Sequence, residues 1–314
     1  MSTGFFSHSL CRDHEMGAGH PECPERLAAI EMRLRASGLF EQLVHRQAPQ
    51  AERTDLLRAH DGLLLAQVQE LSRQAASGLD GVHHRPLDPD TSVNAHSWEA
   101  ALRAAGAAVA ATDAVSAGEI DNAFCAVRPP GHHATRAQAM GFCFFNNVTV
   151  AALHALESCG LERVAIIDFD VHHGNGTQDI VAGDERILMV SFFQHPLYPF
   201  TGTEPGAVNL LNLPVPAHTR GAQIRALIET HWLPRLEAFA PQMLFVSAGF
   251  DAHRQDGLGQ LELEEDDYAW ITGQLMGVAQ RHAHGRLVSC LEGGYHLDAL
   301  ARSVEAHLRV LAGL

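Results

Sequence analysis

No Cys-x-x-Cys pair occurs among the six cysteines of this 314-residue chain, Cys11, Cys23, Cys125, Cys143, Cys159 and Cys290. That removes the usual signature of a redox dithiol or a close-paired zinc module. Cys125 and Cys290 lie in apolar runs, where a free thiol behaves as a small hydrophobe, so the chain reads as reduced and without a disulfide framework. Cys11 and Cys23 stand near His14 and His20, but the close ligand spacing of a structural zinc site is missing there as well. Positive charge is scarce: 22 Lys and Arg face 37 Asp and Glu, a formal net charge of −15. A field of that sign repels nucleic acid and anionic membranes and favours cationic substrates. No apolar run approaches the roughly 18 residues that suggest a membrane span. The opening MSTGFFSHSL also lacks the basic region and apolar core of a signal peptide. A soluble, cytoplasmic protein is the expectation. Internal repeats, low-complexity tracts and linkers do not stand out.

What is present is a core and a rhythm. Hydrophobic residues make up 46% of the chain and charged residues 19%, enough to bury a large interior and too little charge for disorder. HPECPERL leads into a helical pattern, Leu27, Ile30 and Leu34, ended by Gly38, and a second helix runs from about Thr54 through Leu71. Residues 78–93, rich in Gly, Pro, Asp and His and including His83 and His84, read as a surface loop and pocket rim. The Ala-rich stretch from Ser97 to Ala117 is strongly helix-forming. Thereafter AFCAV, VAIIDF, ILMVS, MLFVS and LVSCL read as short buried strands. Helices over 145–158, from Thr177, over 223–239 and over 264–282 separate them, and a last helix follows. The Pro- and Gly-rich stretch 196–206 reads as loop. Such alternation gives an α/β fold: one domain over residues 1–314, with an open, mainly parallel sheet and helices on both faces.

In sheets of this kind ligand sites form outside the carboxyl ends of the strands, and polar residues gather there in this sequence. VAIIDFDVHHGNGTQ, residues 164–178, delivers Asp168, Asp170 and His172 at intervals of two, so an extended backbone puts all three on one face. MLFVSAGF ends in Asp251, AFCAV is followed by RPPGHH, and LVSCLEGG by Tyr295. Asp170, His172 and Asp251 make a ligand set for a divalent metal. Three protein ligands leave a position for water, which is the catalytic arrangement. Zinc is the simplest occupant, with Fe(II) and Mn(II) also compatible. His132 and His133, stiffened by Pro129, Pro130 and Gly131, suit a general base and a general acid or electrostatic partner beside such a water. Tyr295, after Gly293 and Gly294, has room to approach a ligand and donate to a developing oxyanion.

In this order and at these distances, RPPGHHATRAQAMGFCFFNN, DFDVHHGNGTQ, SAGFDAH and LEGGYHL, with HPECPERL before them, resemble the zinc-dependent histone deacetylase family. That family includes bacterial deacetylase-like amidohydrolases and acetylpolyamine amidohydrolases. LEGGY, and Asn175 in HHGNG, are similar to its class II branch. The resemblance implies the arginase-deacetylase fold and hydrolysis of an acetyl or related acyl amide of lysine or a similar amine. Carried over by position, it implies metal ligation by Asp170, His172 and Asp251. It implies catalysis by His132 and His133, with Asp168 orienting His132, Asn175 contacting His133 and Tyr295 stabilising the oxyanion. Potassium is implied too, bound through Asp168, Asp170, His172 and Ser191. Phe142 matches one aromatic wall of an acyl-lysine tunnel. Tyr198 matches the other, where phenylalanine is commoner and Phe200 is a rival. Gly141, Asp88 and Gly293 complete the candidate substrate-binding set.

Acetylpolyamine hydrolysis fits the acidic composition, although the 78–93 loop is short for the dimer-forming insertion of that subfamily. A silent acetyl-lysine binding protein is opposed by the intact set of Tyr295, both histidines and three ligands. A binuclear arginase-like hydrolase would need more ligating side chains than these strand ends supply. The expected partner is an acyl-lysine protein or peptide, or an acetylated amine, with no nucleic acid and no membrane. Which amine it is, and the oligomeric state, stay open.

Overall fold

The computed structural model describes residues 1–78 and 81–314. In chain order the elements are β1 (Thr3–Ser7), α1 (Glu25–Ala36), β2 (Val44–Gln47), α2 (Arg53–Ala59), α3 (Gly62–Ser77), β3 (Arg85–Pro86), β4 (Ser92–Val93), α4 (Ser97–Ser116) and β5 (Asn122–Cys125). There follow α5 (Asn147–Glu157), β6 (Val164–Asp168), α6 (Asn175–Val181), β7 (Ile187–Gln194), β8 (Leu210–Val215), α7 (Gly221–Leu227), α8 (Leu233–Phe239), β9 (Leu244–Ala248), α9 (Glu265–His282), β10 (Leu287–Leu291) and α10 (Leu297–Ala312). Eight strands form one sheet in the order β2-β1-β5-β10-β9-β6-β7-β8, and every pairing in it is parallel. Helices α4 and α5 cover one face and α1, α9 and α10 the other.

The expected α/β architecture is therefore present, and burial explains which strands were legible. β5, β6, β7, β9 and β10 are buried at every residue, so each appears as an unbroken apolar run without alternation. The edge strands carry no such run. β2 reads VHRQ and is mostly exposed, while β8 reads LLNLPV and is mostly half-buried, with Pro214 tolerated at the sheet edge. Neither is expected from the sequence, and nor is β1, a short TGFFS that lies inside the sheet. The helix expected from Thr54 is two helices separated at His60 and Asp61. The helix expected over 223–239 contains a π-turn at Ile228–Trp232, just before Pro234. Proline has no N–H for the preceding turn and its ring crowds the carbonyl four residues back, which favours a wider turn there. Within the 78–93 loop β3 and β4 pair antiparallel, while residues 79 and 80 lie outside the described residues. No helix among the described residues is long and apolar enough to cross a membrane.

Candidate active site

β6 and β9 are neighbours in the sheet. Beyond the end of β6 the chain carries Asp170 and His172, and beyond the end of β9 it carries Asp251. One ligand atom from each of the three side chains lies within 4.8 Å of the others, and all three residues are buried. The carboxylates are braced by backbone. Asp170 accepts the His172 N–H at 2.9 Å and the Gly293 N–H at 2.9 Å, and Asp251 Oδ1 accepts the Val171 N–H at 2.9 Å. Asp251 Oδ2 is buried without a well-angled hydrogen bond, although His172 Nδ1 lies 3.2 Å away. The same nitrogen is 3.0 Å from Asp170 Oδ1. Burial and the Asp170 carboxylate push Asp251 up to about 7. Burial opposes a charge on His172, yet Asp170 and Asp251 outweigh it and hold the ring up at about 10. Two buried carboxylates and an imidazole converging on one point, with one oxygen unpaired, are a donor set that fits a divalent cation. Among the described residues one other group of side chains could share an ion, Asp113, His154 and Cys159. Cys11, Cys23, His14 and His20 belong to neither.

His132 and His133 follow the Pro-Pro-Gly approach and lie with ring centroids 4.0 Å apart. His132 Nδ1 is 3.0 Å from Asp168 Oδ2, and His133 Nδ1 is 2.7 Å from Asn175 Oδ1. Both partners accept, so each ring carries its proton on Nδ1 and leaves Nε2 as its second titrating position. Burial disfavours charge on either ring. At His132 the Asp170 and Asp168 carboxylates overcome it and hold the pKa well above the usual imidazole value. At His133 burial wins, reinforced by His132 and His172, and the pKa falls well below that value.

The loop bearing Tyr295 is fixed from two sides. Asp256 accepts the N–H groups of Tyr295 and His296 at 2.6 and 3.1 Å. The buried Arg26 lies 5.0 Å from the Tyr295 ring centroid, donates to the Gly294 carbonyl at 2.7 Å and also binds the Glu292 carbonyl. Glu22 joins Arg26 at 3.0 Å and Arg128 at 2.7 Å, which ties HPECPERL to the segment before the histidine pair. Glu292 accepts the N–H groups of Gly131 and His132 at 2.6 and 3.1 Å and the Ser247 hydroxyl at 3.2 Å. None of Glu22, Arg26, Arg128, Asp256 and Glu292 is assigned a role by the sequence reading. Their signal was an ionisable side chain set in or beside a motif whose neighbours are apolar, because such a group is buried only when paired.

A cavity of about 220 Å³ opens over these groups, lined by His133, His172, Tyr295, Gly141, Phe142, Tyr198, Leu197, Leu258 and Asp90. Phe142 stands edge-on to Tyr295 at 5.9 Å, and Tyr198 edge-on to His133 at 5.2 Å. Gly141 has φ +56°, and a Cβ there would fall 2.5 Å from the His133 ring. Two substrate-binding expectations, Asp88 and Gly293, need correction, and the choice left open between Tyr198 and Phe200 falls to Tyr198. Phe200 is 68% exposed and does not line the cavity, so Tyr198 is the second aromatic wall. Asp88 turns into its own loop, where it accepts the N–H groups of Asp90 and Thr91 at 3.0 and 2.6 Å, and Asp90 lines the cavity in its place. Gly293 is absent from the wall. Its lack of a side chain instead admits the carboxylates, since a Cβ would sit 2.0 Å from Asp251 Oδ2. Of the potassium set, Ser191 pairs in register with Asp168 and donates to Asn212 at 2.9 Å. No amide of the described residues donates to the Asp170 or His172 carbonyl, so both oxygens are available to a cation.

The histone deacetylase domain family matches residues 20–311. The chain is 40% identical over 318 residues to the histone deacetylase-like amidohydrolase of Pseudomonas aeruginosa, covering 93% of this chain and 81% of that protein. It is 38% identical over 308 residues to the polyamine deacetylase HDAC10 of Mus musculus, covering 93% of this chain and 45% of that protein. Among solved structures, the HDA15 HD domain superposes with a TM-score of 0.91 at 33% identity, over 100% of this chain and 89% of that one. A family match across nearly the whole chain, on a parallel sheet whose strand ends converge on a buried Asp-His-Asp set, places this protein in the histone deacetylase family as a metal-dependent deacetylase.

Proposed function

We propose that Asp170, His172 and Asp251 hold zinc and that the substrate is an acyl-lysine peptide or protein in the cytoplasm. The observation that carries this reading is the histidine pair beside the ligand set, His132 held against the Asp168 carboxylate and His133 against the Asn175 amide oxygen, under a cavity walled by two aromatic rings. A bound divalent ion supplies Lewis acidity toward the acyl carbonyl and acidifies a water. His133, kept neutral, accepts the water proton at Nε2 as the water attacks the carbonyl carbon. Tyr295 donates its O–H to the oxygen on which negative charge develops. His132, kept protonated by Asp168 and Asp170, offsets that charge, and the proton held by the pair passes to the departing amine nitrogen when the C–N bond breaks. Phe142 and Tyr198 exclude water from a methylene chain threaded between them. Asp90 at the wall accepts an N–H from the substrate. Potassium at Asp168, Asp170, His172 and Ser191 would fix the carboxylates from behind.

Acetylpolyamine hydrolysis is the second reading, favoured by the net charge of −15 and by the likeness to a polyamine deacetylase. One experiment separates the two: kcat/KM for release of the free amine from acetyl-lysine peptides, longer acyl-lysines and acetylated polyamines, with zinc content measured alongside. Acetyl-lysine peptides are expected to be the best substrates. A tenfold advantage for polyamines would reverse the assignment, and no amine released from any of them with metal bound would overturn both. In the same assay Tyr295→Phe should keep its zinc and lose about 10²–10³ in kcat, whereas near-normal turnover removes Tyr295 from the mechanism.

A further inference from the structure

We propose that Asp113, His154 and Cys159 form a second cation site, for a thiophilic divalent ion such as Zn2+, at the opposite end of the strands from the deacetylase centre. One carboxylate oxygen, one imidazole nitrogen and one sulfur lie there within 4.8 Å of one another. His154 Nε2 is 2.7 Å from Asp113 Oδ1, and Cys159 Sγ is 3.7 Å from the same oxygen. This is a mixed N, O and S set with a fourth position left for water, a combination that suits zinc and similar soft or borderline ions. The surroundings favour positive charge. Asp113 sits in the last turn of α4 and His154 in the last turn of α5, with Cys159 just beyond it, so two negative helix ends meet at the group. Asp55 Oδ1 lies 3.4 Å from His154 Nδ1, where it can accept the Nδ1 proton and leave Nε2 as the metal-facing nitrogen. Arg58 donates to the same Nδ1 at 3.1 Å, so an ion at Nε2 requires the guanidinium to turn toward Asp55 and Glu157, with which it also pairs, and Nδ1 to take the ring proton. His154 is buried, Cys159 half-buried and Asp113 exposed, so the group is anchored on one side and open on the other. A neighbouring cleft of about 400 Å³, shared by Asp55, Arg58, Asp113 and His154, gives an ion access.

Bound there, an ion would clip the end of α4 to the turn between α5 and β6. The test is titration of the folded protein, stripped of metal and reloaded with a single equivalent of zinc for the deacetylase centre, with Co2+ as the probe, read by the sulfur-to-cobalt charge-transfer absorption. One equivalent should produce the band. Cys159→Ser should abolish it and Cys23→Ser should leave it unchanged. Asp113→Asn, at an exposed position, should weaken the cobalt Kd at least tenfold. Unchanged deacetylase turnover in Cys159→Ser and Asp113→Asn would show that both fold. Absence of the band in the unmodified protein, its survival in Cys159→Ser, or an unaltered Kd in Asp113→Asn overturns the proposal. None of Asp170, His172 and Asp251 supplies sulfur, so the band is read independently of whether the deacetylase centre binds zinc or turns over.

Discussion

His133 Nδ1 meets an amide oxygen at 2.7 Å, whereas His132 Nδ1 meets a carboxylate at 3.0 Å. An amide stabilises an imidazolium less than a carboxylate does, so with burial and two neighbouring charged rings His133 stays neutral to low pH. Asn175→Asp places negative charge against Nδ1 and raises the pKa of His133. Its base form is then lost at higher pH, and the acidic limb of the kcat/KM profile should move upward; an unmoved limb would show that His133 is not the titrating base. At this scale much was legible. Asp170, His172 and Asp251 stood out because charged residues at the ends of apolar strands have few packing explanations. The rim was not legible. Asp88 and Asp90 are both acidic residues of one loop, and only the turn geometry decides which carboxylate caps backbone N–H groups and which reaches the cavity.

The segment around α1 acts as a strap. Glu22 is fully buried between Arg26, which donates to the Gly294 carbonyl of the loop that carries Tyr295, and Arg128, which opens the segment that carries the histidine pair and donates to the His14 carbonyl. Burial works against the Glu22 charge, but Arg128, His14 and Arg26 hold its carboxyl well below the usual range. Glu22→Ala leaves two buried guanidinium groups without their carboxylate and is expected to cost roughly 3–5 kcal/mol. Urea unfolding should show this as a lower midpoint. A loss under 1 kcal/mol would mean that the arginines are held well enough by the backbone carbonyls they also contact. The sequence displayed HPECPERL as a motif but not its destination, since an ion pair between residues 22 and 128 is set by tertiary packing. Strands divided along the same line: those buried on both faces declared themselves, and the half-exposed edges did not.

Across the whole molecule all 22 cationic side chains are arginine, so the protein carries no side-chain amine of the kind that lysine deacylation releases. Its histidines, by contrast, are numerous and several are sealed in the interior. Burial lowers His60 to about 4, against the opposing pull of its hydrogen bond to the Thr135 carbonyl, and lowers His307 to about 3, so both rings stay neutral at pH 7. In the unfolded chain each titrates near its ordinary value of about 6.5. Below that pH the unfolded state binds protons that the native state refuses, so stability is complete above about 6.5 and is lost as pH falls toward 4 and then 3. The denaturation midpoint should therefore be lower at pH 4.5 than at pH 7, with a shallower decline in His307→Gln. An equally steep decline in that variant would assign the acid sensitivity to other groups.

The strand order has one more consequence, for the order in which the molecule comes into being. β2, β1 and β5 lie on one side of the sheet and β6, β7 and β8 on the other, while the last two strands of the chain, β9 and β10, occupy the middle. A growing chain that has reached residue 215 can build two three-stranded halves, but the inner edges of β5 and β6 have nothing to pair with. Open apolar edges of that kind invite misassembly. Asp170 and His172 are present by then, yet Asp251 and Tyr295 arrive only with the strands that join the halves. The proposed centre is thus incomplete until the sheet closes, and a chain interrupted before β9 carries only part of the proposed ligand set.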